Sequence, residues 1–133
     1  MFTPLRRKQE YINMKMKKNK IIQVKKDGNC FFHCLSFFLK KSHQQIRMEC
    51  IDYFLQLETF LEENCLEKKN IEKLAKDCVW NKDEFDFIPF VASQLYGRTI
   101  HIHQGTNKIS FLQKSKEKDI HLRLQNYHFD IVR

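Results

Sequence analysis

Apolar residues recur at helical spacing through the first two thirds of the chain. The stretch of residues 30–40, CFFHCLSFFLK, is apolar on almost every side, which predicts a buried central helix that begins at Cys30. Ser42 is a suitable N-cap for a second helix, because its hydroxyl can accept a hydrogen bond from a first-turn amide. Apolar positions three to four residues apart extend that helix to about residue 64.

Two further helices are expected in the middle of the chain. The first lies near residues 69–78 and the second at about 83–96, each with one apolar face. Pro89 should lie in the first turn of the last helix or kink it, since proline lacks the amide that a helix interior needs. Gly97 is a natural helix terminator, because glycine adopts the left-handed conformation without strain.

After the last helix, the apolar period becomes alternating. Residues 98–104 (RTIHIHQ) place two isoleucines on one strand face and His101 and His103 on the other, which we interpret as solvated. Further strands are predicted at ISFLQ, IHLRLQ and FDIV, and IIQV at residues 21–24 is a short extended stretch. Helices followed by strands predict an α+β fold, with the helices packed on one side of a small, mainly antiparallel sheet of three or four strands.

The excess positive charge is confined to the N-terminus. The chain of 133 residues has a formal net charge of +8, and residues 1–26 contain nine Lys or Arg and a single acid, Glu10. Residues 27–133 therefore have no net charge, which argues against nucleic acid as the main partner. We expect a basic leader over residues 1–20, as a tail or short helix, and one domain over residues 21–133.

The composition indicates a folded chain with reduced thiols. Hydrophobic residues make up 42% of the sequence, and no run of about 18 apolar residues predicts a membrane span. The basic N-terminus has no apolar segment behind it, so we expect no secretory signal. Five cysteines at irregular spacing favour free thiols in an intracellular, cytoplasmic setting. Abundant Lys, Asn, Ile and Phe with scarce Gly and Pro are typical of AT-rich genomes, and hint at a viral or parasite source.

Cys30 lies at the boundary between the turn Asp27-Gly28-Asn29 and the predicted central helix. The first amides of a helix favour a thiolate and lower the cysteine pKa, and the amides of the turn could form an oxyanion hole. A nucleophile in this position still needs a base with an orienting partner. Core packing and metal ligation are the alternatives. His33 and Cys34 lie one turn along the helix, but this set has no fourth ligand and the chain has no CxxC pair.

His128 is a candidate base because a carboxylate, Asp130, follows it by two positions. On a strand, residues i and i+2 point to the same face, so Asp130 could accept a hydrogen bond from the imidazole and fix its tautomer. His-x-Asp alone is a weak signal, and its weight comes from the presence of Cys30 earlier in the chain. His101 and His103 share a strand face, but two ligands are too few for a metal site. No metal or cofactor is expected.

Two segments resemble signature sequences of the ovarian tumour (OTU) cysteine proteases, a family of deubiquitinases. Residues 27–32, DGNCFF, are similar to the family's nucleophile motif, and residues 127–132, YHFDIV, are similar to its C-terminal histidine block. Trp80 and the segment 97–102, GRTIHI, are similar to the family's central region. The resemblance covers residues 21–133 and implies a papain-like OTU fold.

The resemblance also implies a role for individual residues. Cys30 is expected to be the nucleophile, His128 the general base and then acid, and Asp130 the residue that orients His128. Asp27 would shape the oxyanion loop. Asn29 is a turn residue, with an oxyanion contribution as a further expectation.

The implied reaction is hydrolysis of an isopeptide bond between the C-terminal glycine of ubiquitin and a lysine amine. Trp80 is either a core residue or a wall of the substrate groove, and Tyr127 is a further candidate for substrate contact. The expected partner is ubiquitin or polyubiquitin, and the expected oligomeric state is a monomer. The alternatives are a protease for another ubiquitin-like modifier, a catalytically weak ubiquitin-binding OTU module, and a nucleic-acid-binding protein that acts through its leader.

Overall fold

The structure is a computed structural model, and it describes residues 20–76, 78–79 and 82–133. The predicted leader therefore lies outside the described residues, apart from Lys20, and Trp80 also lies outside them. Within these ranges, no helix combines the length and the apolarity that crossing a bilayer requires.

Helices form the first part of the described chain and strands form most of the rest. The helical elements are α1 at Cys30–Leu39, α2 at His43–Leu55, α3 at Glu58–Glu63, α4 at Lys68–Glu72 followed by a 3-10 turn at Lys73–Ala75, α5 at Lys82–Phe85 and α6 at Ile88–Tyr96. The strands are β1 at Ile21–Ile22, β2 at Ile100–Gln104, β3 at Asn107–Phe111, β4 at Ile120–Gln125 and β5 at His128–Val132.

Three predicted helix signals are confirmed. The Ser42 hydroxyl accepts a hydrogen bond of 3.1 Å from the Gln45 amide at the start of α2. Pro89 lies in the first turn of α6, where its missing amide removes no helical hydrogen bond. Gly97 ends the same helix in the left-handed conformation, with φ of 61°.

The prediction of a single long second helix is wrong, because the chain turns between α2 and α3. The amides of Gln56 and Leu57 donate to carbonyls three residues back, which tightens the last turn and ends the helix. The change of direction lets Phe60 of α3 pack against Phe87, with ring centroids 5.4 Å apart. The predicted fourth helix is likewise two shorter helices, α5 and α6.

In the part of the chain that the structure describes, five strands form one mixed sheet in the order β1-β5-β4-β2-β3. The α+β class is confirmed, but the expectation of three or four strands is wrong. The IIQV segment joins the sheet edge, where Ile22 pairs with Ile131. Neighbouring strands are antiparallel except for β2 and β4. This parallel pair arises because residues 112–119 bring the chain from β3 to the other side of β2.

The helices and the sheet share one hydrophobic core. Phe31 at the start of α1 contacts Phe129 of β5 edge-on, with ring centroids 5.2 Å apart. Both side chains are buried, so the N-terminus of α1 is packed directly against β5. The segment that begins at Cys30 is therefore held by aromatic packing beside the strand that begins at His128.

The prediction that His101 lies on a solvated face of β2 is wrong, because its side chain is buried. Its Nδ1 lies 2.7 Å from the hydroxyl of Ser110 on β3, and its Nε2 lies 2.8 Å from the carboxylate of Asp119. The parallel strand β4 places His121 beside it, with the two rings stacked at 4.4 Å. The alternating pattern of β2 could not predict the burial of His101, because the residues that bury it lie on other parts of the chain.

Candidate active site

Cys30 is the first residue of α1, and its sulfur lies against β5. The backbone amides of Phe129 and Phe31 both form hydrogen bonds to this sulfur. Phe129 directly follows His128, so the thiol is placed next to the candidate base. Cys30 is only 2% exposed in this structure.

Burial raises the pKa of the Cys30 thiol above its usual value. The amide hydrogen bonds from Phe129 and Phe31 act in the opposite direction, but they do not outweigh the loss of hydration. The negative charges of Asp27 and Asp130 also raise this pKa. The expectation that the helix N-terminus would favour a resting thiolate is therefore wrong for this conformation, in which the neutral thiol is favoured.

His128 and Asp130 lie on the same face of β5, as the two-residue spacing predicted. The Nε2 atom of His128 is 2.8 Å from Oδ1 of Asp130. When Nε2–H donates to this carboxylate, Nδ1 has the lone pair that can take a proton from a thiol. The sequence-predicted pair is thus brought together in the geometry of a base and its orienting acid.

Asp130 is held by two groups besides His128. Its Oδ1 accepts a hydrogen bond of 3.1 Å from the Val24 amide, and its Oδ2 accepts one of 3.0 Å from Arg123. Burial alone would raise the pKa of Asp130, but the hydrogen bonds from Arg123, Val24 and His128 prevail and lower it. The carboxylate is therefore ionised at neutral pH and can stabilise a charged imidazole.

Arg123 belongs to the site, although no local sequence pattern indicates it. Arg123 faces Asp130 directly across β4 and β5, because a two-residue turn at Asn126 and Tyr127 sets the register of this hairpin. Both turn residues have positive φ, 52° and 60°, as in a type I′ turn. Recognising that turn would have fixed the register and with it the pairing of Arg123 with Asp130.

Asp27 closes the loop that precedes the nucleophile. Its Oδ1 accepts a hydrogen bond of 2.8 Å from the Asn29 amide, and its carbonyl accepts one of 3.2 Å from the Cys30 amide. The second carboxylate oxygen lies 3.7 Å from Nε2 of His33. The amides of Asn29 and Cys30 therefore have partners within the turn, and they would have to exchange them to bind an oxyanion. The oxyanion role of this loop stays a prediction.

The side chain of Asn29 points away from any oxyanion and into the protein. Its Oδ1 accepts hydrogen bonds from Nε and Nη2 of Arg47, at 3.2 and 2.8 Å, and its Nδ2 donates to the sulfur of Cys78 at 3.2 Å. Asn29 is 2% exposed. These contacts fix the loop to α2. An oxyanion contribution of Asn29 would therefore come from its backbone amide, and it stays a prediction.

Arg47 is a second residue whose role the sequence did not reveal. Its guanidinium is buried, and it donates to the carbonyls of Gly28, Leu74 and Val79 at 2.7, 2.6 and 3.1 Å. A signal was present, because Arg47 lies on the apolar face of α2, three residues before the buried Cys50. A cation in that position has to find partners inside the protein.

Tyr127 stands at the tip of the β4–β5 hairpin between two cavities, and it is 77% exposed. The first cavity, of about 550 Å³, is lined by Asp27, His128 and Asp130, among other residues. The second cavity, of about 500 Å³, lies beside it and is mostly apolar, with Phe111 and Phe129 in its wall. Tyr127 borders both, which is a suitable position for substrate contact.

Comparison with known proteins gives matches among solved structures alone. No protein-family model and no curated protein matches the chain. The OTU domain of human OTUD1 is 16% identical, with 94% of this chain and 92% of that domain covered and a TM-score of 0.72. The viral OTU domain protease from Taggert virus is 14% identical, with 90% and 82% covered and a TM-score of 0.73. The Hazara virus OTU bound to ubiquitin is 20% identical, with 89% and 83% covered and a TM-score of 0.62.

Proposed function

The chain has the OTU fold, and on this basis we propose that it is a cysteine-dependent isopeptidase that removes ubiquitin from lysine conjugates or from polyubiquitin chains. One observation supports this proposal more than any other. The Cys30 sulfur is hydrogen-bonded to the amide of Phe129, the residue that follows His128. The thiol therefore lies beside His128, which forms a 2.8 Å hydrogen bond with Asp130. Similar structures solved with ubiquitin bound indicate the partner.

The proposed reaction has two steps that use the same base. In the first, the Cys30 sulfur attacks the carbonyl carbon of the C-terminal glycine while the thiol proton passes to His128. The carbon–nitrogen bond then breaks, and the lysine amine leaves with the proton from His128. In the second step, water attacks the thioester and gives one proton to His128. The carbon–sulfur bond then breaks, and His128 returns that proton to Cys30. The product leaves as a carboxylic acid, which loses its own proton to solvent at neutral pH. Asp130 stabilises the imidazolium in both steps.

A neutral thiol that is 2% exposed has consequences for this mechanism. Since the pKa of Cys30 is raised, the thiolate forms by proton transfer to His128 rather than being present beforehand. Cys30 is also outside the lining of the cavity that contains His128 and Asp130. We therefore expect the loop at residues 25–29 to shift when substrate binds, because this would also free the amides of Asn29 and Cys30 for the oxyanion.

The decisive experiment is covalent capture by ubiquitin whose C-terminus bears an electrophile that reacts with thiols. The wild-type protein should form a stable adduct of one ubiquitin per chain, and Cys30→Ala should form none. Cys65→Ser removes an exposed thiol away from the site and is the matched control, which should react as the wild type does. A folded wild type that remains unreactive would contradict the proposal.

The alternatives are separated by the choice of substrate. Diubiquitins of every linkage test the isopeptidase activity directly, and electrophilic probes built on other ubiquitin-like modifiers test for a different modifier. Saturable binding of ubiquitin with no adduct and no cleavage would instead indicate a catalytically weak ubiquitin-binding module. Loss of nucleic-acid affinity when residues 1–20 are deleted would indicate a role for the leader.

A further inference from the structure

Three imidazoles and a carboxylate converge on β2 and β4, outside the proposed active site. Each of His101, Asp119 and His121 offers one ligand atom, and these atoms all lie within 4.8 Å of one another. The third imidazole, His103, lies with Nε2 at 3.0 Å from Nδ1 of His121. We propose that His101, Asp119 and His121 bind a divalent late transition metal ion, of which Zn²⁺ is the representative.

The arrangement is set by the backbone of the sheet. In the parallel register of β2 and β4, His101 pairs with His121, so the two side chains leave the same face at neighbouring positions. Their rings stack with centroids 4.4 Å apart and an angle of 15° between planes. Asp119 directly precedes β4 and completes the group. Ligands supplied by paired strands are already oriented before a metal binds, which lowers the ordering cost.

The donor set and its spacing suit a late transition metal. Two imidazoles and one carboxylate are the ligands that Zn²⁺ uses in open sites with three protein ligands. Ligand atoms at about 2.0 Å from a tetrahedral metal stand roughly 3.3 Å apart. Nε2 of His101 and Oδ2 of Asp119 are 2.8 Å apart, so a small movement would allow the metal to replace the hydrogen bond between them.

Neighbouring side chains orient the proposed ligands. Nδ1 of His101 forms a hydrogen bond of 2.7 Å with the Ser110 hydroxyl, which directs Nε2 towards Asp119. Nε2 of His103 lies 3.0 Å from Nδ1 of His121 and so fixes the orientation of the His121 ring. Such partners are a regular feature of metal sites, since they fix the tautomer and the ring orientation.

A metal ion can reach the cluster from solvent, but two nearby positive side chains oppose its binding. The Asp119 side chain is 50% exposed while that of His101 is 10% exposed, so a metal would reach the ligands from the solvent side. Lys108 pairs with His103 across β2 and β3, and Arg123 pairs with it across β2 and β4. These cations should weaken affinity without blocking coordination, because the Arg123 guanidinium is bound to Asp130.

The proposal is tested by titrating the full chain with Co²⁺ and with Zn²⁺. Co²⁺ bound to imidazole and carboxylate gives weak visible bands, whereas thiolate ligands add an intense near-ultraviolet band, so the five cysteines are distinguished from the cluster. We expect one metal per chain. His121→Ala and Asp119→Asn should each weaken binding at least tenfold, and His103→Ala should weaken it about tenfold. Zn²⁺ should also raise the melting temperature of the wild type more than that of these variants.

His43→Gln removes a histidine outside the cluster and should bind as the wild type does. Circular dichroism establishes that each variant is folded, and Asp119→Asn is the safest of them because its side chain is half exposed. Folded variants that bind Co²⁺ as tightly as the wild type would overturn the proposal. Thiolate bands as the main spectral signature, or no binding of either ion, would overturn it equally.

Discussion

His128 and Asp130 are joined by a hydrogen bond of 2.8 Å between Nε2 and Oδ1. The same oxygen accepts a hydrogen bond from the backbone amide of Val24. Arg123 binds the other oxygen from the neighbouring strand. Three groups thus fix the position of the carboxylate, and the carboxylate in turn fixes the orientation of the imidazole. The position of the candidate base therefore depends on the segment that follows β1, on β4 and on β5 together.

The first prediction concerns catalysis by the variant Asp130→Asn. The amide keeps the shape of the side chain but removes the negative charge that stabilises the imidazolium and fixes its tautomer. We expect kcat for cleavage of a fluorogenic ubiquitin amide to fall by about 10²-fold or more, with little change in KM. Asp52→Asn is the control, because Asp52 is exposed on α2. Wild-type activity in Asp130→Asn would remove Asp130 from the proposed mechanism.

The second prediction concerns stability against pH. Because the pKa of Asp130 is lowered on folding, its ionised form stabilises the folded state above the unfolded-state pKa, at about 3.9. That contribution should disappear as pH falls through the lower, folded-state pKa. In urea unfolding, the advantage of the wild type over Asp130→Asn should be larger at pH 6 than at pH 3. An advantage that is equal at both values would contradict the assigned direction.

The third prediction concerns the reactivity of Cys30. Since burial raises its pKa, the thiolate fraction at pH 7 should be smaller than that of a free cysteine. Alkylation of Cys30 by iodoacetamide, followed by peptide mass spectrometry, should therefore be slow at pH 7 and should keep rising beyond pH 9. The exposed thiol of Cys65 provides the internal comparison. A rate plateau below pH 7 would instead reveal a resting thiolate–imidazolium pair.

Local sequence patterns were sufficient for the helix that begins at Cys30 and for the pair of His128 and Asp130. Both depend on short-range periodicity, which a sequence displays directly. The N-cap at Ser42 and the end of the last helix at Gly97 belong to the same class. These features need no knowledge of which elements become neighbours.

Features that depend on strand pairing could not be predicted from local sequence patterns. The cover over His101 comes from Ser110, Asp119 and His121, which lie on other parts of the chain. The parallel pairing of β2 with β4 follows from the path of a charged loop whose direction no local pattern predicts. The raised pKa of Cys30 likewise results from tertiary burial, which opposes the local influence of the helix N-terminus.

The fourth prediction concerns the buried cation beneath the nucleophile loop. Arg47→Lys keeps the charge but loses the planar fork that contacts Asn29, Gly28, Leu74 and Val79. We expect the free energy of unfolding to fall by about 2–3 kcal/mol, because carbonyl groups are left unpaired. Arg98→Lys is the matched control, since Arg98 binds the Lys118 carbonyl at an exposed position. Equal urea midpoints for the two variants would show that the loop does not depend on Arg47.

The fifth prediction concerns the space at Gly28. A Cβ atom there would lie 2.1 Å from the carbonyl oxygen of Cys78, which is backbone and cannot rotate away. Gly28→Ala should therefore displace the loop that holds Cys30, with a loss of about 1–3 kcal/mol in stability and a marked fall in probe capture. Gly105→Ala is the control, because its Cβ meets nothing within 4 Å and its cost comes from a φ of 59° alone, about 1 kcal/mol. The control should retain capture by the ubiquitin probe. If both variants lose stability equally and retain capture, the contact between Gly28 and Cys78 does not position the nucleophile.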